Sequence, residues 1–290
     1  MDYASQTDFL RVAREVLAKG PVAVILIEDL VEVESTLRHH LKLGFRTLIL
    51  CAPEALRLPA DLAAQVHRIP WIAAHPEAFL DALNPLIAAA PTGTWFYYGF
   101  NAEYLFYPFC ETRTVREMLA FHTEERRFGM LSYVIDLYAA DLGKNPDGVN
   151  LAEAMLDRTG YYALSRPDPG NPGRPRERQL DFFGGLRWRF DEHIPPARRK
   201  IDRIALFRTA PGLELRADHT LSDEERNTYA CPWHHNLTAA IASFRVAKAL
   251  KRNPGSTYDI PTFRWDNSVP FEWSSRQLLD LGLMEPGQWF

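Results

Sequence analysis

Apolar and polar positions along this chain follow two periods. Residues 7–19 bring Phe9, Leu10, Ala13, Val16 and Leu17 onto one helical face, and Gly20 with Pro21 stops that helix. The run VAVILI at 22–27 contains no polar position, as in a strand buried on both faces. A helix over about 30–43 follows and ends at Gly44. RTLILCA at 46–52 predicts a second strand, and HRIPWIAA at 67–74 a short third one. PEAFLDALNPLIAAA at 76–90 predicts a helix kinked at Pro85. TWFYYG predicts a fourth strand that breaks at Gly99. The strands at 22–27, 46–51 and 94–98 are therefore expected to be parallel neighbours, with helices 30–43 and 76–90 on the sheet faces, in a Rossmann-like α/β arrangement.

The second half is less regular. TVREMLAFHTEERR at 114–127 reads as a helix with Thr112 or Thr114 as its cap. FGMLSYVIDLYAADLG at 128–143 opens as a strand. The stretch SRPDPGNPGRPRER at 165–178 holds four prolines and two glycines and is expected to be an irregular or mobile loop. IDRIALFRT at 201–209 is strand-like, and the segment 232–253 reads as a helix from about Thr238. The tail carries Trp265, Phe271, Trp273 and Trp289, which predicts a segment that wraps and docks. The expected organisation is a nucleotide-binding-like α/β half at 1–145, a second half of the same domain at 146–250 with the loop at 165–178, and a wrapping tail at 251–290.

Composition narrows the classes. The net charge of −4 gives no global attraction to nucleic acid or anionic lipid. No run approaches the roughly 20 apolar residues of a membrane span. The three cysteines, Cys51, Cys110 and Cys231, have no metal-binding spacing, and an odd count argues against a disulfide framework. The charged, amphipathic start lacks a secretory apolar region, so a cytoplasmic location is expected.

LIEDLVEVESTLRHHLKLGFRTLIL at 26–50, FNAEYLFYP at 100–108, VIDLY at 134–138, FFGGLRWRF at 182–190, DRIALFR at 202–208 and WHHN at 233–236 occur in an order that resembles family 2 glycosyltransferases, in a bacterial GT-A-like branch. The matched positions include Glu28, His39, His40, Leu43, Gly44, Glu103, Tyr104, Leu105, Tyr107 and Pro108, and the likeness spans about residues 20–250. It implies a GT-A-like, mainly parallel sheet flanked by helices with a C-terminal helical and aromatic extension. It also implies a nucleotide-sugar donor and a saccharide or glycoconjugate acceptor. One departure matters: Phe100 and Ala102 stand where that family has the two aspartates of D-x-D. Neither can ligate Mg²⁺ or Mn²⁺, which bind through carboxylates and phosphates. No tightly bound cofactor and no metal ligands are expected, and a catalytically inactive relative serving as a binding or scaffold protein is the alternative.

The candidate residues follow from both readings. Glu28 follows a buried strand at its C-terminal end, where ligands bind in open α/β sheets. Glu103 is a site carboxylate or, more simply, a strand-end glutamate facing solvent or an arginine. Asp136 lies in an apolar strand, so it must be paired or hold a raised pKa; it is an acceptor base or the partner of an arginine. Gly184 and Gly185 let backbone approach a ligand. Of Arg187 and Arg189, on a segment read as extended, at most one is expected to face a site. The catalytic candidates are Glu103 and Asp136. The nucleotide- or phosphate-binding candidates are Glu28, Asn101, Arg187, His219 and His235, of which Glu28, Asn101, Arg187 and His219 are expected to converge with Glu103. Of His39 and His40, adjacent on a helix, one should point inward and one outward.

Overall fold

A computed structural model of the chain describes residues 1–228 and 236–289. In chain order it begins with α1 (Gln6–Leu10), α2 (Ala13–Leu17), β1 (Val22–Leu26), α3 (Val33–Lys42), β2 (Thr47–Ala52), α4 (Ala60–Ala63), β3 (His67–Pro70) and α5 (Ala78–Ala89). Then come β4 (Trp95–Phe100), β5 (Glu103–Phe106), α6 (Val115–Glu124), β6 (Gly129–Ala139), β7 (Ala154–Asp157), β8 (Tyr162–Pro167), β9 (Pro175–Phe183) and α7 (Leu186–Arg189). The last elements are β10 (Asp202–Arg208), β11 (Ala239–Ser243), α8 (Arg245–Arg252), α9 (Pro254–Thr257), β12 (Ser268–Pro270) and α10 (Ser275–Asp280). The chain is a mixed α/β protein, compatible with a Rossmann-like fold. Among the described residues, no helix is long and apolar enough to cross a membrane.

Two compact units share the chain. One comprises Met1–Tyr104, Thr112–Leu131 and Ile204–Asn227; the other comprises Leu105–Glu111, Ser132–Arg203 and Thr228–Phe290. In the first, the strand order is β10-β4-β1-β2-β3. β1 pairs in parallel with both neighbours, Val22 opposite Thr47 on β2 and opposite Phe96 on β4. The continuous apolar runs are thus buried on both faces, as expected. Along β4 alternate side chains face opposite ways: Tyr97 meets His40 of α3, and Phe100 meets Phe79 of α5. α6 starts on Thr114 with a complete capping box, the Thr114 hydroxyl accepting from Glu117 N–H and the Glu117 carboxylate accepting from Thr114 N–H.

In the second unit β7 lies antiparallel between β6 and β12, and β11 runs parallel to β6 with Ala239 opposite Ser132. The tail docks on this body. Ile260 and Phe263 join a core of Tyr138, Met155, Leu186 and Ala247, and the Trp273 indole donates to the Leu151 carbonyl at 3.0 Å.

Four expectations change. Residues 7–19 form two short helices, which still bury Phe9, Ala13 and Leu17. β4 runs through Gly99 to Phe100, because Gly99 leaves space for the folded-over Tyr97 ring; a Cβ there would sit 2.5 Å from the Tyr97 hydroxyl. The proline-rich stretch forms most of the β8–β9 hairpin, with Pro167 opposite Pro175. A two-stranded ribbon tolerates proline because its outer edges need no donors. Its turn is tied by Asp168, which accepts from Gly170 N–H at 3.0 Å. The segment from Thr238 opens as strand β11 before helix α8. Its alanines favour a helix intrinsically, but all five strand residues are buried, and packing overrides propensity.

Candidate functional site

From β1 the first sheet grows through β2 to β3 and then returns to β4 on the other side of β1. In open α/β sheets, ligands bind beyond the strand ends at such a reversal. Here Asn101 spans it. Its side-chain oxygen accepts from Glu28 N–H at 2.9 Å, and its amide donates to Asp29 Oδ1 at 2.6 Å and to the Val31 carbonyl at 2.9 Å. Asp29 Oδ1 also accepts from Val31 N–H at 2.9 Å, so the loop after β1 is tied to the end of β4. Asn101→Ala would remove all three side-chain bonds. We expect a loss of about 1–3 kcal/mol, the usual cost of leaving buried polar groups unpaired. Urea unfolding checks this; a change below about 0.5 kcal/mol, within the range of an ordinary surface substitution, would refute the tie.

Beyond Asn101 the chain turns at Ala102, in the left-handed region at φ 60°. That turn lets Glu103 fold back and accept from Phe100 N–H at 3.0 Å, with its side chain in the interior. Glu103 therefore neither faces solvent nor pairs with an arginine through this contact; it caps the strand that precedes it. Thr36 completes the junction by accepting from Ala102 N–H at 2.9 Å. His40 is the inward histidine. It stacks on Tyr97, its Nδ1 donates to the Thr36 carbonyl at 2.8 Å, and burial pushes its pKa down to about 3. His39 is half-buried, edge-on to Tyr104.

The expected convergence is partial. Glu28 and Asn101 meet, and Glu103 lies just behind them. His219 is on the opposite face of β4, stacked on Phe79 at 4.9 Å and within 2.9 Å of the Tyr98 hydroxyl. Arg187 belongs to the second unit. His235 lies outside the described residues.

A cleft of about 520 Å³ opens beside this junction, lined by the loops that follow β1 and β2. Leu30, Leu56 and Pro59 supply apolar walls; Glu32, Ser35 and Arg57 supply polar groups. Glu32 caps α3 in the left-handed conformation, at φ 54°, with no side-chain bond to the helix N–H groups. Its carboxylate instead accepts from Ser35 Oγ, whose oxygen lies 2.8 Å from the Tyr104 hydroxyl. Arg57 holds its own loop, donating from Nη1 to the Glu54 carbonyl at 2.8 Å. Glu32 and Arg57 were not candidates in the sequence, since loop residues carry no periodic signal. The positional rule for strand ends was the one available pointer to them.

In the second unit, Asp136 is fully buried and Arg187 nearly so, with Arg187 Nε 3.3 Å from Asp136 Oδ1. Arg187 also donates to the Lys200 carbonyl at 2.7 Å. Burial raises the Asp136 pKa to about 6, with the Arg187 charge opposing the rise. Leu186–Arg189 is a helical turn and not an extended segment, and both Arg187 and Arg189 turn inward, each onto a buried aspartate. Arg189 Nε donates to Asp157 at 2.8 Å. The glycine pair makes close approaches as expected, but to the protein itself. A Cβ on Gly184 would overlap the Tyr161 ring, and one on Gly185 would meet Asp136 Oδ2 at 3.0 Å. Among the described residues, no three His, Cys, Asp or Glu side chains gather as a metal site would require. No protein-family model and no curated protein matches this chain.

Proposed function

We propose that this protein is a glycosyltransferase-like protein of the GT-A kind, binding a nucleotide-sugar donor without a D-x-D-bound metal and transferring the sugar to a saccharide or glycoconjugate acceptor. The observation that carries the reading is the cleft of about 520 Å³ beyond the C-terminal ends of β1 and β2. Small-molecule sites commonly fall in this size range and combine apolar walls with a few polar groups. A nucleoside base fits the walls of Leu30, Leu56 and Pro59. The Glu32 carboxylate suits ribose hydroxyls, and Arg57 offers charge-assisted hydrogen bonds to a diphosphate.

In such a transfer the acceptor hydroxyl attacks the anomeric carbon and loses its proton to a carboxylate. The bond from that carbon to the diphosphate breaks, and its electron pair leaves with the nucleotide.

Calorimetric titration with uridine and guanosine diphosphates, in Mn²⁺ and then in EDTA, tests the donor reading. We expect binding that EDTA leaves within about twofold, because the residues at 100–103 offer one carboxylate and Mg²⁺ or Mn²⁺ need more. Arg57→Ala should weaken it about tenfold, the equivalent of one charge-assisted bond. Binding that vanishes in EDTA would overturn the metal-independent reading. No binding of any nucleotide would favour the inactive relative. That second reading has its own support: Glu103 caps β4, and Asp136 is ion-paired in the interior.

A further inference from the structure

Tyr161 precedes the β8–β9 hairpin. Its hydroxyl is buried with no hydrogen-bond partner among the described residues, while the residue as a whole is partly exposed. A buried hydroxyl left unpaired is destabilising. Asp136 Oδ1 in the same interior has, among the described residues, only the Arg187 Nε contact at 3.3 Å, too poorly aligned for a good hydrogen bond. The Tyr161 phenol lies within electrostatic reach of both Asp157 and Asp136.

The seat is shaped to a ring. Gly184 gives the ring its floor, since any Cβ there would overlap it. Gly185, at φ 64° and ψ −151°, adopts a backbone that other residues avoid and brings the chain against Asp136. The occupant is carried by an outlying element. Among the described residues β8 pairs with β9 alone, and every residue of it but Arg166 is exposed. Arg166 anchors the hairpin base through Asp181 and Asp202. Trp188, 44% exposed, lies against Gly160 beside Trp265, so flat aromatic faces border the seat.

We propose that Tyr161 is a removable plug in a saccharide-binding pocket. Its ring holds the place of a sugar ring on the Gly184–Gly185 floor. Its withdrawal lets a sugar hydroxyl donate to Asp136 Oδ1. The aromatic border then meets the C–H faces of the sugar. The ligand class rests on the glycosyltransferase reading; the pocket itself rests on the packing.

The test uses the full chain and its Tyr161→Ala and Tyr161→Phe variants. Glucose, galactose, mannose and N-acetylglucosamine are titrated by calorimetry, with p-cresol as a probe of a plain cavity. At least one sugar should bind Tyr161→Ala about tenfold or more tighter than the parent, and Asp136→Asn added to that variant should abolish the gain. Binding of p-cresol without any sugar overturns the proposal, as does a folded Tyr161→Ala with no gain. Loss of the fold in Tyr161→Ala shows that the ring is not removable and overturns it too. Tyr161→Phe should melt at or above the parent temperature; a fall of about 4 °C or more would mean that the hydroxyl has a partner. Uridine diphosphate binding is read in the same samples. Its absence counts against the donor reading and leaves the sugar result standing.

Discussion

Asp157→Ala is expected to cost the second unit about 3–5 kcal/mol, the scale for breaking a buried ion pair by removing one partner. Asp157 is fully buried at the end of β7 and accepts from three side chains. The Tyr138 hydroxyl donates to Oδ1 at 2.5 Å, Arg189 Nε donates to Oδ2 at 2.8 Å, and the Trp265 indole donates to Oδ1 at 2.8 Å. These donors come from β6, α7 and the tail, so one carboxylate holds three stretches of chain distant in sequence. Alanine would leave the Arg189 charge buried, with the Phe263 carbonyl at 2.7 Å as a remaining acceptor. The guanidinium also lies over the Trp265 ring at 5.0 Å, so its displacement would loosen the tail. Urea unfolding followed by near-ultraviolet dichroism measures the loss. Trp265→Phe alone removes one neutral donor and should cost about 1 kcal/mol through that bond. The double variant should be less destabilised than the two single effects added together, because both remove the same bond. A loss under about 1 kcal/mol for Asp157→Ala would show that the cluster relaxes into solvent.

The parts of the fold readable from the sequence are those where one physical effect dominates. VAVILI and RTLILCA have too few polar positions to be anything but doubly buried strands, and they are β1 and β2. The strand at 239–243 was hidden because Ala239, Ala240 and Ala242 favour helices locally, and only their place beside β6 makes them extended. The hairpin was hidden by its prolines, which exclude a central strand but not a two-stranded ribbon. For the site, position was legible and partnership was not. Glu28 and Asn101 follow buried strands at their C-terminal ends, and they meet. Glu103 shows in the sequence as a lone carboxylate, but its inward turn depends on the left-handed backbone of Ala102, a conformation the residue type does not announce. Gly184 and Gly185 signal a close approach; that Tyr161 is what approaches depends on the path of the chain between them.

Stability should fall as the pH drops from about 6.5 to 4.5, by about 3 kcal/mol net. Two buried histidines of the first unit set the sign. His40 is held down to about 3 by burial, with His39 adding repulsion, and His122 is held down to about 4 by burial. Both sit as neutral rings with an acceptor already satisfied: the Thr36 carbonyl lies 2.8 Å from His40 Nδ1, and the Gly129 carbonyl 3.0 Å from His122 Nε2. In the unfolded chain each would titrate near 6.5. Between 6.5 and the folded values the unfolded state therefore binds more protons. Each histidine then contributes a loss approaching about 1.4 kcal/mol per pH unit. Asp136 opposes them. Its folded pKa is raised to about 6 from an unfolded value near 4, so the native state binds the extra proton in that window and gains stability as the pH falls. Asp202, raised by burial, adds to the opposition, and His67, lowered by burial, adds to the loss; the two deeply buried histidines still set the sign. Urea midpoints at pH 7 and 4.5 measure it. His40→Gln, which cannot titrate, should shrink the pH dependence by about half or more. Equal or greater stability at pH 4.5 would mean that one of the imidazoles is open to water and protonates in place.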